Sequence, residues 1–561
     1  MAGRKRRKAS LAQRPQDQAE SIDLSADVKL VVLDYITRPS DLKALCLTSK
    51  AWRSVATPRL YLNIELYIHD RDDISRFMRC IGAGASLHLK AIRRLTFIDE
   101  EGPPESILVR KGERIRGGHH FSTSERNTSA FLILQMIPRN VLHTFRHLSI
   151  VSLDQRCLRA LKHNQKSLRH VQFSVNGNIF LPDLLKPGLE TLDVFWTGVR
   201  KPYSEFTKDI LKKAPNLRRL CVIGCTSDNL NPEPNFMYGD DYTHPHSSLQ
   251  ELSLIETELG PRGDIWTKTF DFTALTSLAI WDCCDADGFF TQLGQTYRDM
   301  PSQLKRLVVA DSESDEPEVL YESLINIYSS SPNLSSLHLN MALIGDIWDD
   351  FYQVCHLPKT LLSLSLHDPG LYRSDAATLS LGCFQSLCYD LPKLQQLGIR
   401  LPDDGLLMCT ENIHDLDAES VIPYLESLKE LGDLRILHLR QPRSKWNEDS
   451  IPRSEEHIAF SLQQFANFFF TYMESRSMCP KLNFLVWGMY WDRGLYHSTD
   501  EYEAIYQHCF VRGQQVAFGE TKAVAIPVSR RTLRELAPEL DILDYQPDCG
   551  WIGAQPGRFY E

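Results

Sequence analysis

Long apolar runs are missing from this 561-residue sequence, in which no stretch approaches the roughly 20 residues that a membrane-spanning helix needs. The basic opening, MAGRKRRKAS, is not followed by the apolar segment of a secretory signal. Both absences favour a protein of the nucleus or cytoplasm that has no membrane partner. In such a reducing compartment the 14 cysteines are expected to be thiols and not disulfides.

An excess of positive charge is also missing, since 62 Lys and Arg stand against 72 Asp and Glu, for a net charge of −10. Phosphate neutralisation requires a basic face, so this balance argues against a nucleic-acid partner. The exception is a basic block in residues 1–21, a tail that has little to bury and is expected to be disordered. The block is typical of a nuclear-import signal and equally of a solvated tail, and it comprises Arg4, Lys5, Arg6, Arg7 and Lys8.

Catalytic motifs are absent too, because the sequence has no G-x-S-x-G, no H-E-x-x-H and no P-loop. Cys221, Cys225, Cys283 and Cys284 lack the paired C-x-x-C spacing of a zinc site. We therefore expect no catalytic residue, no metal and no cofactor. A hydrolase that uses His and Ser residues of the repeats described below is an alternative that no nucleophile motif supports.

Residues 22–65 have the pattern of three short helices. The first is predicted from Asp27 in its first turn and from apolar residues on one helical face, which are Val28, Val31, Val32 and Tyr35. Pro39 is predicted to end this helix, and Ser40 is predicted to cap a second helix. The apolar stripe of the second helix consists of Leu42, Leu45 and Cys46.

The third helix is predicted to begin after a Ser49 cap, to carry Trp52 and to end at Pro58. A strand-like alternation of apolar residues follows at positions 60, 62 and 64. About 45 residues bury too little apolar surface to be stable alone. Another domain or another protein should therefore cover part of these apolar side chains.

This order of signals resembles an F-box. The family pattern is similar to Leu24-Ser25, Asp27, the aliphatic run at 28–33, Tyr35-Ile36, Asp41-Leu42 and Lys50-Ala51-Trp52, with Ser25 in the place of the family's proline. The ending ATPRLYLNIEL at 56–66 resembles the F-boxes of fungal leucine-rich-repeat proteins in particular. The resemblance implies docking on the Skp-type adaptor of a cullin-RING ubiquitin ligase and, through it, on cullin. The implied adaptor contacts are Leu24, Asp27, Val28, Val31, Val32, Ile36, Leu42, Leu45, Lys50 and Trp52. Alternatively, the three helices only cap the repeats that follow and use Trp52 and the aliphatic residues as their own core.

From about residue 87 to 490 the sequence repeats a unit of the form L-x-x-L-x-L, in which other aliphatic or aromatic residues replace some leucines. The alternation within each copy predicts a short strand with one buried face. Helical periodicity between copies predicts helices, for example around 320–328 and 462–472. The thirteen copies begin at Ile92, Phe145, Leu168, Leu189, Leu217, Leu249, Leu275, Leu304, Leu334, Leu361, Leu394, Leu434 and Leu482.

A strand plus helix repeated in this way resembles the leucine-rich repeat, which implies an α/β solenoid with a parallel-sheet horseshoe over residues 66–490. Cys225 and Cys283 fall three residues after the last anchor of their copies, where the family places a buried Asn or Cys. The copies are unevenly spaced, so the solenoid should be irregular. The longest interval contains a polar, glycine-rich insertion at about 102–127, which is predicted to be a mobile loop or, alternatively, to hide one degenerate repeat.

The residues between the leucines of each strand are expected to line the concave face of the horseshoe. The predicted substrate-binding residues on this face are Phe195, Arg219, Ile223, Ile255, Trp281, Arg306, His338, His367, Arg400, His438 and Arg440. Their apolar middle and basic later copies predict a ligand with an apolar anchor joined to acidic or phosphorylated residues. Alternatively, Phe195 and Trp281 pack under an inserted loop or the C-terminal segment.

Residues 491–561 no longer repeat and are predicted to be a C-terminal cap, with a helix-like stretch at 530–543. The fold class predicted for the chain is thus α/β, with a three-helix F-box, an irregular leucine-rich-repeat solenoid and a cap. The resemblances together imply the substrate-recognition subunit of an SCF-type ubiquitin ligase, which binds a protein for ubiquitination and catalyses nothing itself. The alternative is an F-box and repeat scaffold that acts outside the ligase.

Overall fold

The structure is a computed structural model that describes residues 24–36, 39–68, 70–98, 122–148, 153–176, 184–197, 210, 212–223, 248–255, 257, 259, 269–281, 283, 286–311, 317–341, 357–367, 378–402, 418–440, 455–488, 507–517 and 519–543. The basic block at 4–8 lies outside the described residues. So do Cys225, Cys284 and most of the predicted insertion.

The described strands are β1 Asn63–Tyr67, β2 Arg94–Ile98, β3 Thr144–Leu148, β4 His170–Asn176, β5 Thr191–Thr197, β6 Arg219–Ile223, β7 Glu251–Ile255, β8 Ser277–Trp281, β9 Arg306–Asp311, β10 Ser336–Met341, β11 Ser363–His367, β12 Gln396–Ile399, β13 Ile436–Leu439, β14 Phe484–Trp487, β15 His508–Ala517 and β16 Glu520–Val528. They form one sheet in which each strand pairs with the next along the chain. Strands β1 to β14 pair in parallel, whereas β14, β15 and β16 pair antiparallel.

The described α-helices are α1 Ala26–Asp34, α2 Pro39–Thr48, α3 Lys50–Leu60, α4 Arg71–Gly82, α5 Thr123–Met136, α6 Gln155–Asn164, α7 Ala286–Asp299, α8 Pro317–Ser329, α9 Leu381–Asp390, α10 Ala418–Ser427, α11 Glu455–Ser475 and α12 Arg530–Leu536. Short 3₁₀ helices lie at Ala85–Ala91, Phe272–Ala274 and Leu428–Glu430. Helices α4 to α11 connect successive parallel strands. This alternation makes the fold an α/β repeat solenoid with one long, mostly parallel sheet.

The thirteen repeat strands predicted from the sequence are present as β2 to β14. Their middle anchor residues align across the sheet, as in the successive partners Leu192, Leu220, Leu252, Leu278 and Leu307. Each of these leucines is at most 1% exposed. Each unit therefore buries its apolar face against its neighbours, which is how a solenoid is stabilised.

The helices predicted around 320–328 and 462–472 are confirmed as α8 and α11. Leu320 and Leu324 of α8 are fully buried, as is Phe469 of α11. Both helices pack against the same core cluster as the strand leucines. The spacing of three and four residues therefore identified helix faces that point at the sheet.

The copy predicted to begin at Phe145 has the wrong register. Phe145 pairs with Leu95, the middle anchor of its neighbour, so this repeat begins three residues earlier, at the buried Leu142. The last anchor position is then His147, which pairs with Phe97 and is 3% exposed. The repeat pattern used for the prediction requires an apolar residue at this position, so the polar His147 led to the wrong register.

The predicted insertion at about 102–127 ends earlier than expected, because α5 begins at Thr123. Ser122 accepts a hydrogen bond from the Glu125 amide, and the Glu125 carboxylate accepts one from the Ser122 amide, at 2.8 Å. This reciprocal capping box fixes the start of the helix. Strands β2 and β3 are direct neighbours in the described sheet.

The three predicted N-terminal helices are present, with different ends at two prolines. Ser40 does not cap the second helix, because α2 begins at Pro39, a residue whose missing amide hydrogen is tolerated in the first turn. Pro58 lies inside α3 and not at its end. Ser49 caps α3 as predicted, since its side chain accepts a hydrogen bond from the Trp52 amide at 3.1 Å.

The described part of the last segment, 507–543, continues the sheet. Strands β15 and β16 form a long antiparallel hairpin, and α12 occupies part of the stretch predicted to be helical at 530–543. Residues after 543 lie outside the described residues. Within the described residues, no helix is both long enough and apolar enough to cross a bilayer.

Candidate functional site

Helix α1 presents most of its apolar residues to solvent. The exposed fractions are 41% for Leu24, 46% for Val28, 43% for Leu30, 57% for Val31, 37% for Val32 and 84% for Tyr35. The core of the three-helix unit is small and consists of buried Leu33, Leu42 and Ala56 with partly buried neighbours. The apolar stripe read from the sequence is therefore not the inner face of the unit. Contiguous exposed apolar surface of this kind is typical of a protein interaction site.

The predicted adaptor contacts divide into three groups. Leu24, Val28, Val31 and Val32 are exposed apolar side chains, and Asp27 and Lys50 are exposed charged ones. Ile36, Leu45 and Trp52 are partly buried against the core of the unit. Leu42 is 7% exposed, so we correct its assignment from adaptor contact to core residue.

Besides Tyr35, two further exposed apolar side chains were not among the predicted adaptor contacts. Leu30 on α1 and Leu47 on α2 are 43% and 72% exposed. Both leucines lie outside the stripes that helical spacing assigned, although Leu30 belongs to the aliphatic run at 28–33. Ser25, which stands in place of the family's proline, accepts a hydrogen bond from the Val28 amide at 3.3 Å and caps α1.

The concave face begins with a charged group on β3 to β7. Arg219 Nε and Nη2 each lie 3.3 Å from one carboxylate oxygen of Asp193, and Arg219 Nε lies 3.9 Å from Glu251. Burial raises the pKa of Asp193, although Arg219 and Arg146 oppose this shift. Arg219 is thus already paired within the chain. The sequence analysis did not single out Asp193, although this residue lies between the strand anchors Leu192 and Val194.

The middle of the face is apolar, as predicted, but its side chains are not exposed. Ile255 is 6% and Trp281 is 3% exposed, and both pack with Ala279, Val308 and Ala310. They therefore do not provide the exposed anchors that we predicted, and the burial of Trp281 agrees with the alternative interpretation. Phe195 and Ile223 lie on β5 and β6 at the aligned concave position, and their side chains lie outside the description.

The later copies are covered by the chain's own residues 533–543. Leu533, Leu540 and Ile542 pack with Ile436 and Val486 of β13 and β14 in one buried cluster. Ile436 and Val486 alternate with the core leucines of their strands and lie on the concave side. The C-terminal segment thus occupies part of the surface predicted to bind a substrate.

Polar contacts fix this segment at three points on the concave face. Arg306 donates to Asp541 at 2.6 Å, and Gln396 Nε2 donates to the same carboxylate at 3.0 Å. The Ile542 amide donates to Gln396 Oε1 at 2.9 Å. Arg435 forms an ion pair with Glu539 at 2.5 Å. Arg306, one of the predicted substrate-binding residues, thus holds a carboxylate of this segment.

The two histidines of the later copies whose side chains are described, His338 and His438, are buried and have lowered pKa values. Burial, with Arg306 and Arg440 nearby, lowers the pKa of His338 to about 4, although Asp541 opposes the shift. Burial also lowers the pKa of His438 well below its usual value. His438 Nε2 lies 2.8 Å from the Gly488 carbonyl oxygen, as in a structural hydrogen bond.

The arginines of the later copies are also buried. Arg400 is 8% and Arg440 is 3% exposed, and Arg440 donates to the Ser365 hydroxyl at 3.2 Å. Four predicted substrate contacts, His338, Arg400, His438 and Arg440, are therefore internal in this structure. Their side chains lie beneath other residues, which the sequence template could not anticipate. His367 ends β11 at an aligned concave position, and its side chain lies outside the description.

The serines nearest to a concave histidine do not form an accessible nucleophilic site. Ser336 and Ser363 lie 3.3 Å and 2.9 Å from the same ring nitrogen, Nε2 of His338. All three residues are at most 4% exposed. This arrangement acts as a buried hydrogen-bond network, because a substrate cannot reach either hydroxyl without displacing the residues above it.

Cys283 has the structural environment that the repeat pattern indicates. Its thiol is 4% exposed and lies 3.2 Å from the Trp281 carbonyl oxygen and 3.4 Å from the Leu254 carbonyl oxygen. Among the described residues, no group of three or more His, Cys, Asp and Glu is arranged to hold a metal ion. The described Cys221 and Cys283 are buried thiols.

Comparison with known proteins adds little. No family model matches the chain, and no curated protein matches it. Among solved structures, a Bacteroides fragilis protein from a structural genomics consortium is similar with 13% sequence identity over 51% of this chain and 67% of that chain. The TM-score is 0.21, which is too low to support an argument about fold or function.

Proposed function

We propose that this protein is the substrate-recognition subunit of an SCF-type ubiquitin ligase. In this proposal residues 22–65 are an F-box that docks on a Skp-type adaptor, and the solenoid is a leucine-rich-repeat domain that holds a protein substrate. The chain itself catalyses nothing. It raises the rate of ubiquitin transfer by holding an acceptor lysine close to the loaded partner.

The observation that carries the proposal is the outward apolar face of α1. Val28, Val31 and Val32 match the aliphatic run of the F-box pattern, and all three are exposed. A helical cap that used them as its own core would bury them. Their exposure instead favours the interpretation in which another protein covers them.

The first prediction tests this face with two charges. We expect Val28→Asp with Val31→Asp to weaken binding to a purified Skp-type adaptor at least about 100-fold, because apolar anchors at an interface commonly contribute about 2 kcal/mol each. Both side chains are exposed, so the fold should tolerate the change. The measurement is a titration of adaptor against the full chain, with circular dichroism as the check on folding.

The matched control places the same two charges elsewhere. Leu132→Asp on α5 and Phe460→Asp on α11 replace apolar residues that are 47% and 62% exposed. This control should bind adaptor like the unmodified chain. Equal adaptor binding by the Val28/Val31 variant and the control contradicts the F-box assignment.

Co-purification from cells separates the ligase from the scaffold alternative. A ligase subunit should bring both the adaptor and cullin, whereas a scaffold outside the ligase should bring the adaptor without cullin. Leu42→Ala is not a suitable probe for either function, because Leu42 belongs to the core of the three-helix unit and its loss would unfold the site.

A further inference from the structure

We propose that the concave face over β9 to β14 is a binding site for a short acidic and aliphatic peptide segment, which residues 539–543 of this chain occupy as an internal ligand. The occupying sequence is Glu-Leu-Asp-Ile-Leu. A protein partner with a segment of this chemistry would bind by replacing it. The identification of that partner with a ubiquitination substrate rests on the proposed function, but the binding site itself does not.

Two arginines from separate repeats form ion pairs with the carboxylates of the segment. Asp541 pairs with Arg306, and Glu539 pairs with Arg435. Arg306 and Arg435 are 34% and 33% exposed, so each guanidinium remains within reach of solvent at the rim. Arginine pairs with a carboxylate in a defined geometry, which makes these contacts selective for acidic ligands.

Gln396 binds both the Asp541 carboxylate and the main-chain amide of Ile542. Its amide donates to Asp541 and accepts from the Ile542 main chain. One side chain thus forms hydrogen bonds with an acidic side chain and with the main-chain amide of the next residue in the segment. Recognition of main-chain groups beside side-chain pockets is how extended peptides are commonly held.

Gly398 makes room for the aliphatic anchor. A Cβ atom at this position would lie 3.2 Å from Ile542 Cδ1 and 2.7 Å from Ser365 Oγ. Ile542 is fully buried, and Leu540 and Leu543 are 4% and 1% exposed. The site therefore combines an apolar depression with a charged rim, which is the usual composition of a protein-binding surface.

The occupant is a short local structure and not a further repeat. Helix α12 has seven residues, and Arg530 and Arg534 on it donate to the Leu543 carbonyl oxygen. The segment adds no strand to the sheet after β16. Its contacts with the concave face include the ion pairs, the Gln396 hydrogen bonds and the packing of the aliphatic side chains, which a separate peptide can reproduce.

The test uses the full chain and a labelled synthetic peptide with the sequence of residues 535–545, ELAPELDILDY. The variant Glu539→Ala with Asp541→Ala weakens the internal ligand and leaves the concave residues intact. We expect the peptide to bind this variant at least about tenfold more tightly than the unmodified chain, because an occupied site lowers the apparent affinity by the fraction that is free. Fluorescence polarisation measures both affinities.

Two controls make the result specific. Asp433→Ala with Glu520→Ala removes two ion-paired acidic residues elsewhere in the chain and should leave peptide binding as in the unmodified protein. Addition of Arg306→Ala and Arg435→Ala to the weakened variant should abolish peptide binding. A peptide that carries Gln and Asn in place of Glu539 and Asp541 should bind at least about tenfold more weakly.

The proposal is overturned if the peptide fails to bind the weakened variant, or if it binds all chains with equal affinity. If the weakened variant does not fold, the charge reversal Arg306→Asp with Asp541→Arg serves instead. That variant should prefer a peptide that carries the same Asp541→Arg change over the original peptide, and the absence of this preference overturns the proposal. Adaptor binding is measured on the same samples, so failure of the peptide site and failure of the F-box assignment are distinguished.

Discussion

His147 places an imidazole in the apolar core of the solenoid. Its ring lies edge-on to Phe97, with 6.5 Å between the ring centroids, and its Nδ1 has no hydrogen-bond partner among the described residues. Burial lowers the pKa of His147 to about 3. The side chain is therefore neutral at physiological pH and is stable inside the core only in that state.

The pH dependence of stability follows from this shift. In the unfolded chain a histidine has a pKa near 6.5, so below that pH the unfolded state binds a proton that the folded state does not. Stability is then complete above about pH 7 and falls as the pH decreases. We expect His147 to account for a loss of about 2 kcal/mol between pH 7 and pH 5.

The measurement is urea unfolding at pH 7 and pH 5 for the unmodified chain and for His147→Leu, followed by a probe in the first repeats. The leucine variant should lose less stability over this interval. His163, an exposed histidine on α6, provides the control variant His163→Leu, which should keep the full pH dependence. Parallel pH curves for all three chains would exclude this role for His147.

At the scale of single residues, the sequence predicted the side of a strand on which a residue lies better than it predicted the burial of that residue. Alternation correctly placed Ile255 and Trp281 on the concave side, because strand geometry alone fixes which way a side chain points. Whether that side is open to solvent depends on distant parts of the chain. The burial of Trp281 and His438 therefore could not be read from the local pattern.

Helix α11 protects the last strand of the sheet. Its Asn467 accepts a hydrogen bond from the Ala525 amide at 2.8 Å, and its Gln463 donates to the Ala525 carbonyl oxygen at 2.7 Å. Thr471 donates a hydrogen bond to the Ala523 carbonyl oxygen, and Glu474 accepts one from the Ala523 amide. The unpaired edge of a sheet tends to add strands from other molecules, and polar side chains from a covering helix prevent this.

We expect Asn467→Ala to destabilise this edge by about 1–3 kcal/mol, because it leaves a partly buried amide without an acceptor. Hydrogen exchange should rise in β16 and remain unchanged in β6 to β9. Gln464→Ala, on the same helix, serves as the control and should have no such effect. If exchange in β16 is the same in both variants, Asn467 has no protective role.

Helix ends were less predictable than helix faces. The S-x-x-E signature at Ser122 and Glu125 indicates a helix start, but the polar composition around it favoured a loop. Pro58 is predicted to end the third helix, yet proline has a φ angle that a helix accepts, and α3 continues to Leu60. At these helix ends, the local amino-acid composition predicted a different boundary from the one that the local backbone geometry produces.

At the scale of the whole molecule, the sheet joins neighbours in chain order, and its stability should be a sum of local contributions. We expect Phe97→Ala, which removes a fully buried ring, to cost about 3–5 kcal/mol in the first repeats. Leu485→Ala should act in the same way at the other end of the solenoid, at a cost of about 2–5 kcal/mol.

Hydrogen exchange measured by mass spectrometry tests the locality of these two changes. Phe97→Ala should raise exchange in β1 to β4 and leave β12 to β14 protected, and Leu485→Ala should do the reverse. A uniform rise along the whole sheet in either variant would show instead that the solenoid unfolds as one cooperative unit.

The repeat architecture was predictable from sequence because every copy carries the same short-range pattern. The contact between Arg306 and Asp541 was not, since it joins a repeat residue to a segment with no repeat pattern. The segment that the structure places there carries acidic and aliphatic residues, and the ligand predicted for a protein partner stays a prediction.

The residues of the concave face are synthesised before the segment that covers them. Arg306, Gln396 and Arg435 are synthesised before Glu539, and about 50 residues separate the end of β14 from that residue. At roughly 5–20 residues per second, the ribosome needs about 3–10 s to make this stretch. A nascent chain can therefore complete its concave surface while the segment that will cover it is still being translated. A partner present at the ribosome meets that surface without competition.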